Sequence, residues 1–148
     1  LIVANNSWTI PIADLIRIAG SEADRVVAQA VHNMFNQVTL MSPVGDPSKW
    51  KGSAPKGYVG GRFRSNWTVS FDEPNPETTD AVNFSRSDAE VAKALTFRLG
   101  CRIWLTNNLP YAERLEYGWS QQAPSGMVRL NALLFRRYIA QASSGAPA

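Results

Sequence analysis

Two glutamates three residues apart, Glu113 and Glu116, come nearest to a paired-carboxylate acid and base, because on a helix they would share a face. Arg114 stands between them and no other polar residues converge on the pair, so a salt-bridged surface is the ordinary reading. Nucleophilic catalysis would have to recruit His32, the chain's only histidine, which falls mid-helix at the edge of an apolar stripe and reads as a boundary packing residue. The single cysteine, Cys101, excludes an intrachain disulfide framework and a multi-cysteine metal site; it reads as a reduced core thiol. Gly57-Tyr58-Val59-Gly60-Gly61 lacks both the Lys-Ser/Thr ending and the preceding strand of a phosphate cradle. The expectation is therefore no metal, no cofactor and no enzymatic activity.

Binding chemistry is better represented. Arg62 and Arg64 flank Phe63 and precede Trp67, interleaving cations with rings as a single-strand nucleic-acid binder would. In a strand the two arginines would project to one face, opposite Phe63. Just upstream, residues 42–61 are rich in Gly and Pro and carry Lys49, Lys51 and Lys56 against one acid, Asp46. Trp50 and Tyr58 in that stretch argue against pure disorder, since such rings are costly to leave in water. The loop is either a solvated surface or an arm ordered by a neighbouring subunit or by DNA. Overall, 15 Lys+Arg against 12 Asp+Glu give a net charge of +3, too little by itself to argue for nucleic acid.

These residues need a scaffold, and 148 residues suffice for one domain. From Ile12 to Met41 the apolar spacing is helical, and Gly20-Ser21 predicts a short helix followed by a long one capped by Ser21. Asn66 to Phe71 alternates as a half-buried strand, with a second strand expected around Thr79 to Phe84. Ser87 and Glu90 form a capping box ahead of a helix from Asp88 to Leu99 whose face is Ala89, Ala92, Leu95, Thr96 and Leu99. Cys101 to Thr106 reads as a strand. Pro110 then opens a short turn pressing Tyr111, Ala112 and Leu115 onto the core, and Gly118 closes it in a left-handed conformation. A terminal helix to about Gln141 presents Met127, Leu130, Leu134, Tyr138 and Ile139. The sum is an α+β fold: two substantial helices on a small, mostly antiparallel sheet, with a long Gly/Pro/Lys loop. Residues 1–142 form the expected domain, with an extended arm (1–10) anchored by Trp8 and Ile10 and a frayed tail (143–148). No segment reads as a membrane span or an export signal, and the Asn-x-Ser/Thr triplets at Asn5, Asn66 and Asn83 read as chance.

Two motif groups carry a resemblance. Tyr111-Ala112 followed by Glu116-Tyr117-Gly118, then Ala123-Pro124 and Met127-Val128-Arg129, resembles the signature of the neck and tail-completion proteins of tailed bacteriophages. Ser42-Pro43-Val44 and Gly61-Arg62-Phe63-Arg64-Ser65-Asn66-Trp67 are similar to that family's other signature, a Ser/Thr-Pro-Val turn leading to a Gly-Arg element and a strand. In the usual pattern these two are nearly adjacent, whereas here residues 45–60 separate them. The resemblance implies a structural virion protein assembled in the bacterial cytoplasm: a closed ring, hexameric or dodecameric, around the DNA channel. Its neighbours would be head-closure or connector and tail-terminator or tail-tube proteins, with DNA passing through the lumen without sequence recognition. Candidate contact residues are then Lys49, Trp50, Lys51, Lys56, Tyr58, Arg62 and Arg64 on one side, and Glu113, Glu116, Trp119, Gln121 and Gln122 on the other. Pro43, Gly61, Trp67, Tyr111 and Gly118 would be structural. The alternative is a small nucleic-acid-binding module built on the basic loop and an Arg62/Arg64 strand, whose DNA affinity would fall steeply with salt.

Overall fold

A computed structural model of the protein describes residues 12–49 and 52–145, which leaves the arm with Trp8 and Ile10, Trp50, Lys51 and the last three residues outside the described part. Helical apolar spacing yields one continuous helix, α1 (Ile12–Met41), 30 residues and about 45 Å long. The expected break at Gly20-Ser21 does not occur: Ser21 donates its hydroxyl to the Ile18 carbonyl within the helix instead of capping a new one. A mid-helix glycine costs only about 1 kcal/mol, which helical turns on both sides can offset.

The Arg62–Ser65 stretch is a single helical turn, α2, not the beginning of a strand. Gly61 enters it at φ 118°, and a side chain there would meet the Val82 carbonyl at 2.5 Å, so glycine is required. The strand that follows is β1 (Thr68–Phe71), and it is not the half-solvated strand its alternation suggests: Asn66 and Thr68 are buried along with Trp67 and Val69. Residues 79–83 form no strand. Asn66 takes their place as partner, its side-chain amide accepting from Thr79 N–H at 2.8 Å and donating to Thr79 C=O at 2.9 Å. A side chain here does what a neighbouring strand would have done.

The next helix, α3 (Ser85–Ala92), continues as a 3₁₀ turn (Lys93–Thr96). Its buried face is Ser87, Val91 and Ala94, whereas Ala89, Ala92, Leu95 and Leu99 of the expected face are exposed. The capping box is absent because both members are used elsewhere. Ser87 donates to the Phe84 carbonyl, and Glu90 reaches across to accept the Val69 N–H at 3.0 Å. Cys101 lies exposed in the turn before β2 (Ile103–Thr106), not in the core.

β2 pairs antiparallel with β1 in the register Thr68↔Thr106 through Phe71↔Ile103. Two short helices follow, α4 (Ala112–Glu116) and α5 (Val128–Leu133), and then α6 (Phe135–Ser144). The expected single terminal helix is thus two, and it extends three residues past Gln141. Asn131 explains the break: it is buried, and its carbonyl oxygen accepts from the Tyr138 hydroxyl across the α5–α6 junction. Leu134, expected inside, is exposed at that junction, while Met127, Tyr138 and Ala142 are buried.

The architecture is α+β: α1 is the spine, α6 and α3 lie along it, and the two-stranded sheet packs on its C-terminal half. Val38, Phe63, Trp67, Leu109, Ala123 and Met127 form one core cluster; Val31, Phe35, Val69, Val91 and Ala94 form a second, and Ala30, Tyr138 and Ala142 a third. Each fully buried large aliphatic or aromatic side chain contributes about 1.5 to 3 kcal/mol, so the first cluster, joining residues from 38 to 127, ties the two halves of the chain together.

Candidate interaction surface

The best-built feature of the surface is the turn after α4. Gly118 sits at φ 87°, Trp119 N–H bonds the Arg114 carbonyl at 3.1 Å and Gly118 N–H bonds Leu115 at 3.3 Å, a Schellman closure of the helix. Ala112 and Leu115 press inward as their spacing requires, whereas Tyr111, expected to press in with them, is exposed, its ring centroid 6.1 Å from that of Phe63. The same closure turns Tyr117 and Trp119 outward, where they are 67% and 75% exposed.

Glu116 organises what comes next. Its carboxylate accepts the backbone N–H groups of Met127, Val128 and Arg129, each at 2.9 Å, and the Arg129 Nε–H at 3.2 Å. It therefore caps α5 from a helix eleven residues earlier in the chain. Partial burial works to raise this carboxyl, but the three backbone donors and Arg129 outweigh it and hold the group below the usual glutamate range. Arg129 then lies over the Tyr117 ring, 4.6 Å from its centroid, and Arg114 over Trp119 at 5.6 Å. The result is a rigidly mounted platform of two exposed rings, each backed by a guanidinium, around an open depression lined by Arg114, Tyr117, Gly118 and Trp119. Glu113 points to solvent on the same turn; the two glutamates thus have separate tasks, and Arg129, not Arg114, is the ion-pair partner of Glu116.

The two motif groups meet behind this platform. Ser42 accepts the Trp67 indole N–H at 2.7 Å, and Pro43 is buried beside it. Gln122 holds Val44 by both backbone groups, accepting its N–H at 3.1 Å and donating to its C=O at 2.9 Å. Of the remaining candidates, Arg62 pairs with Asp80 at 2.7 Å and donates to the Thr79 carbonyl, and Arg64 stacks on Phe84 at 4.3 Å. The two arginines are thus engaged with residues 79–84 and do not form the exposed basic strand face expected of them. Lys56 and Gln121 are exposed; Tyr58 lies against Gly45, and Lys49 ends a 3₁₀ turn (Pro47–Lys49).

The capping role of Glu116 and the clamping role of Gln122 were not apparent from sequence, because each reaches a partner 11 or more residues away. Among the described residues no group of three or more His, Cys, Asp and Glu could hold a metal ion, and no helix is long and apolar enough to cross a membrane. No family model, no curated protein and no solved structure matches the chain.

Proposed function

We propose that this protein is a structural component of a tailed-phage virion, working at the head–tail junction by assembly and not by catalysis. It would form a closed ring of identical subunits, six or twelve, around the DNA channel, stacked between head-closure or connector proteins and tail-terminator or tail-tube proteins. The observation that carries the reading is the convergence of the two signature stretches: Phe63 and Trp67 from one pack in the same core cluster as Ala123 and Met127 from the other. Exposed apolar residues support assembly, with Ile16, Tyr117, Trp119 and Leu133 all more than 60% exposed on one small chain. The nucleic-acid alternative is weakened by Arg62 and Arg64, whose guanidiniums are engaged within the chain. Light scattering across concentration, with and without a short DNA duplex at two salt levels, tests the reading. A discrete oligomer indifferent to DNA is expected; a monomer that binds DNA only at low salt would replace this reading with the nucleic-acid module.

A further inference from the structure

The two-stranded sheet is closed on one side and open on the other. Asp72 N–H bonds the Arg102 carbonyl, which makes 72/102, 70/104 and 68/106 the hydrogen-bonded pairs. The main-chain groups of Val69 and Phe71 must therefore point away from β2, and those of Ile103 and Leu105 away from β1. On the β1 side, Glu90 from α3 takes the Val69 N–H. On the β2 side, no described residue hydrogen-bonds the main chain of Ile103 or Leu105. Beside Ile103 at that edge opens an apolar groove formed with Val31, Met34 and Phe35 of α1 and with Ala132 and Phe135 at the α5–α6 corner. An unpaired strand edge beside an apolar groove is the geometry for strand addition: the ladder supplies affinity, and every second side chain enters the groove.

The chain itself carries a segment of matching chemistry. Residues 1–13 contain no charged side chain, and Trp8-Thr9-Ile10 alternates two large apolar residues around a β-branched one, ending at Pro11, whose missing N–H would terminate a ladder. Distance decides which copy it can serve. Val31 lies 19 residues along α1 from Ile12, about 28 Å away, whereas Trp8 is four residues before Ile12 and reaches at most about 14 Å. A chain cannot seat Trp8 in its own groove.

We propose that Trp8–Ile10 of one copy adds as a parallel third strand to the free edge of β2 in the next, with Trp8 and Ile10 in the groove, Thr9 on the Trp104 side, and Thr9 donating its N–H to the Ile103 carbonyl while its own carbonyl accepts the Leu105 N–H. The contact is heterologous, arm to edge, so it generates a ring when the rotation closes. It rests on the self-association in the reading above, but it does not require the virion role.

The test uses the full chain, Thr9→Pro, which removes the central N–H of the arm, and Ala132→Lys, which puts a charge in the groove at an exposed position. In the wild type, residue-resolved hydrogen exchange at Leu105 should slow as concentration drives association, and each variant should remain a folded monomer. Mixed together, the two variants should form a 1:1 dimer and nothing larger, because one retains only a working groove and the other only a working arm. If the wild type associates while that amide exchanges as in the monomer, or if the variants assemble like wild type, the strand addition is wrong and the self-association stands. A wild type that stays monomeric at every concentration would refute both.

Discussion

Removing the Glu116 carboxylate tests whether the platform is mounted as described. In Glu116→Ala, three backbone donors lose their acceptor and Arg129 loses its ion pair. The losses are unequal. Met127 is fully buried, so its N–H has no water to turn to and costs about 1 to 3 kcal/mol. Val128 and Arg129 lie nearer solvent, and losing a helix cap there adds about 0.5 to 2 kcal/mol. Allowing for overlap between the two, the expected destabilisation is about 2 to 4 kcal/mol, measured by urea denaturation with an unchanged slope. Glu113→Ala, three residues away on the same turn and exposed, should stay within about 0.5 kcal/mol of wild type. Equal effects from the two substitutions would refute the capping role and reduce Glu116 to a surface charge.

Protonating Glu116 should have a related effect: with its folded pKa depressed, its contribution is complete above the ordinary glutamate range, near pH 4, and fades as pH falls through the lower folded value. A denaturation series from pH 6 to 2 should therefore show a larger acid loss in wild type than in Glu116→Gln. Trp67→Ala should cost about 3 to 5 kcal/mol as a core aromatic truncation, and Ser42→Ala about 1 to 3 by orphaning the indole N–H; a Trp67→Ala effect below about 1 kcal/mol would remove it from the core. Gly61→Ala should lose about 1 to 3 kcal/mol from backbone strain alone, so a thermal midpoint equal to wild type would refute the requirement at φ 118°. Deleting Pro47–Pro55 should leave the circular dichroism spectrum native while impairing ring formation, and an unfolded product would place that loop in the core.

What the sequence disclosed depended on whether a residue's partners were local. The Gly118 stop acts over a few residues and appears where expected, whereas the Trp67-Val69-Phe71 alternation yields a four-residue strand whose burial does not alternate. The helix after Phe84 was legible as a helix, but its face and cap were not, because Glu90 is spent on a strand 21 residues away. Residues 79–84 form no strand, and Asn66, 13 residues earlier, takes both backbone groups of Thr79. Four-residue α2 is too short for any period to reveal, so Arg62 and Arg64 could not be recognised as helical or as partners of Asp80 and Phe84. In the candidate surface, Trp119, a candidate contact residue from the sequence, is exposed, while Glu116 and Gln122, candidates of the same kind, bond within the chain itself.

The buried cradle around Asn66 also bears on how the protein can be made. Asn66-Trp67-Thr68 is an acceptor triplet for N-linked sugar, and the nitrogen that would carry the glycan is the one donating to the Arg62 and Thr79 carbonyls, in a residue 1% exposed. Sugar and native contacts compete for a single atom. Passage through a eukaryotic secretory route would sort molecules into those that close the cradle first and those glycosylated before they can, whereas a bacterial cytoplasm imposes no such choice.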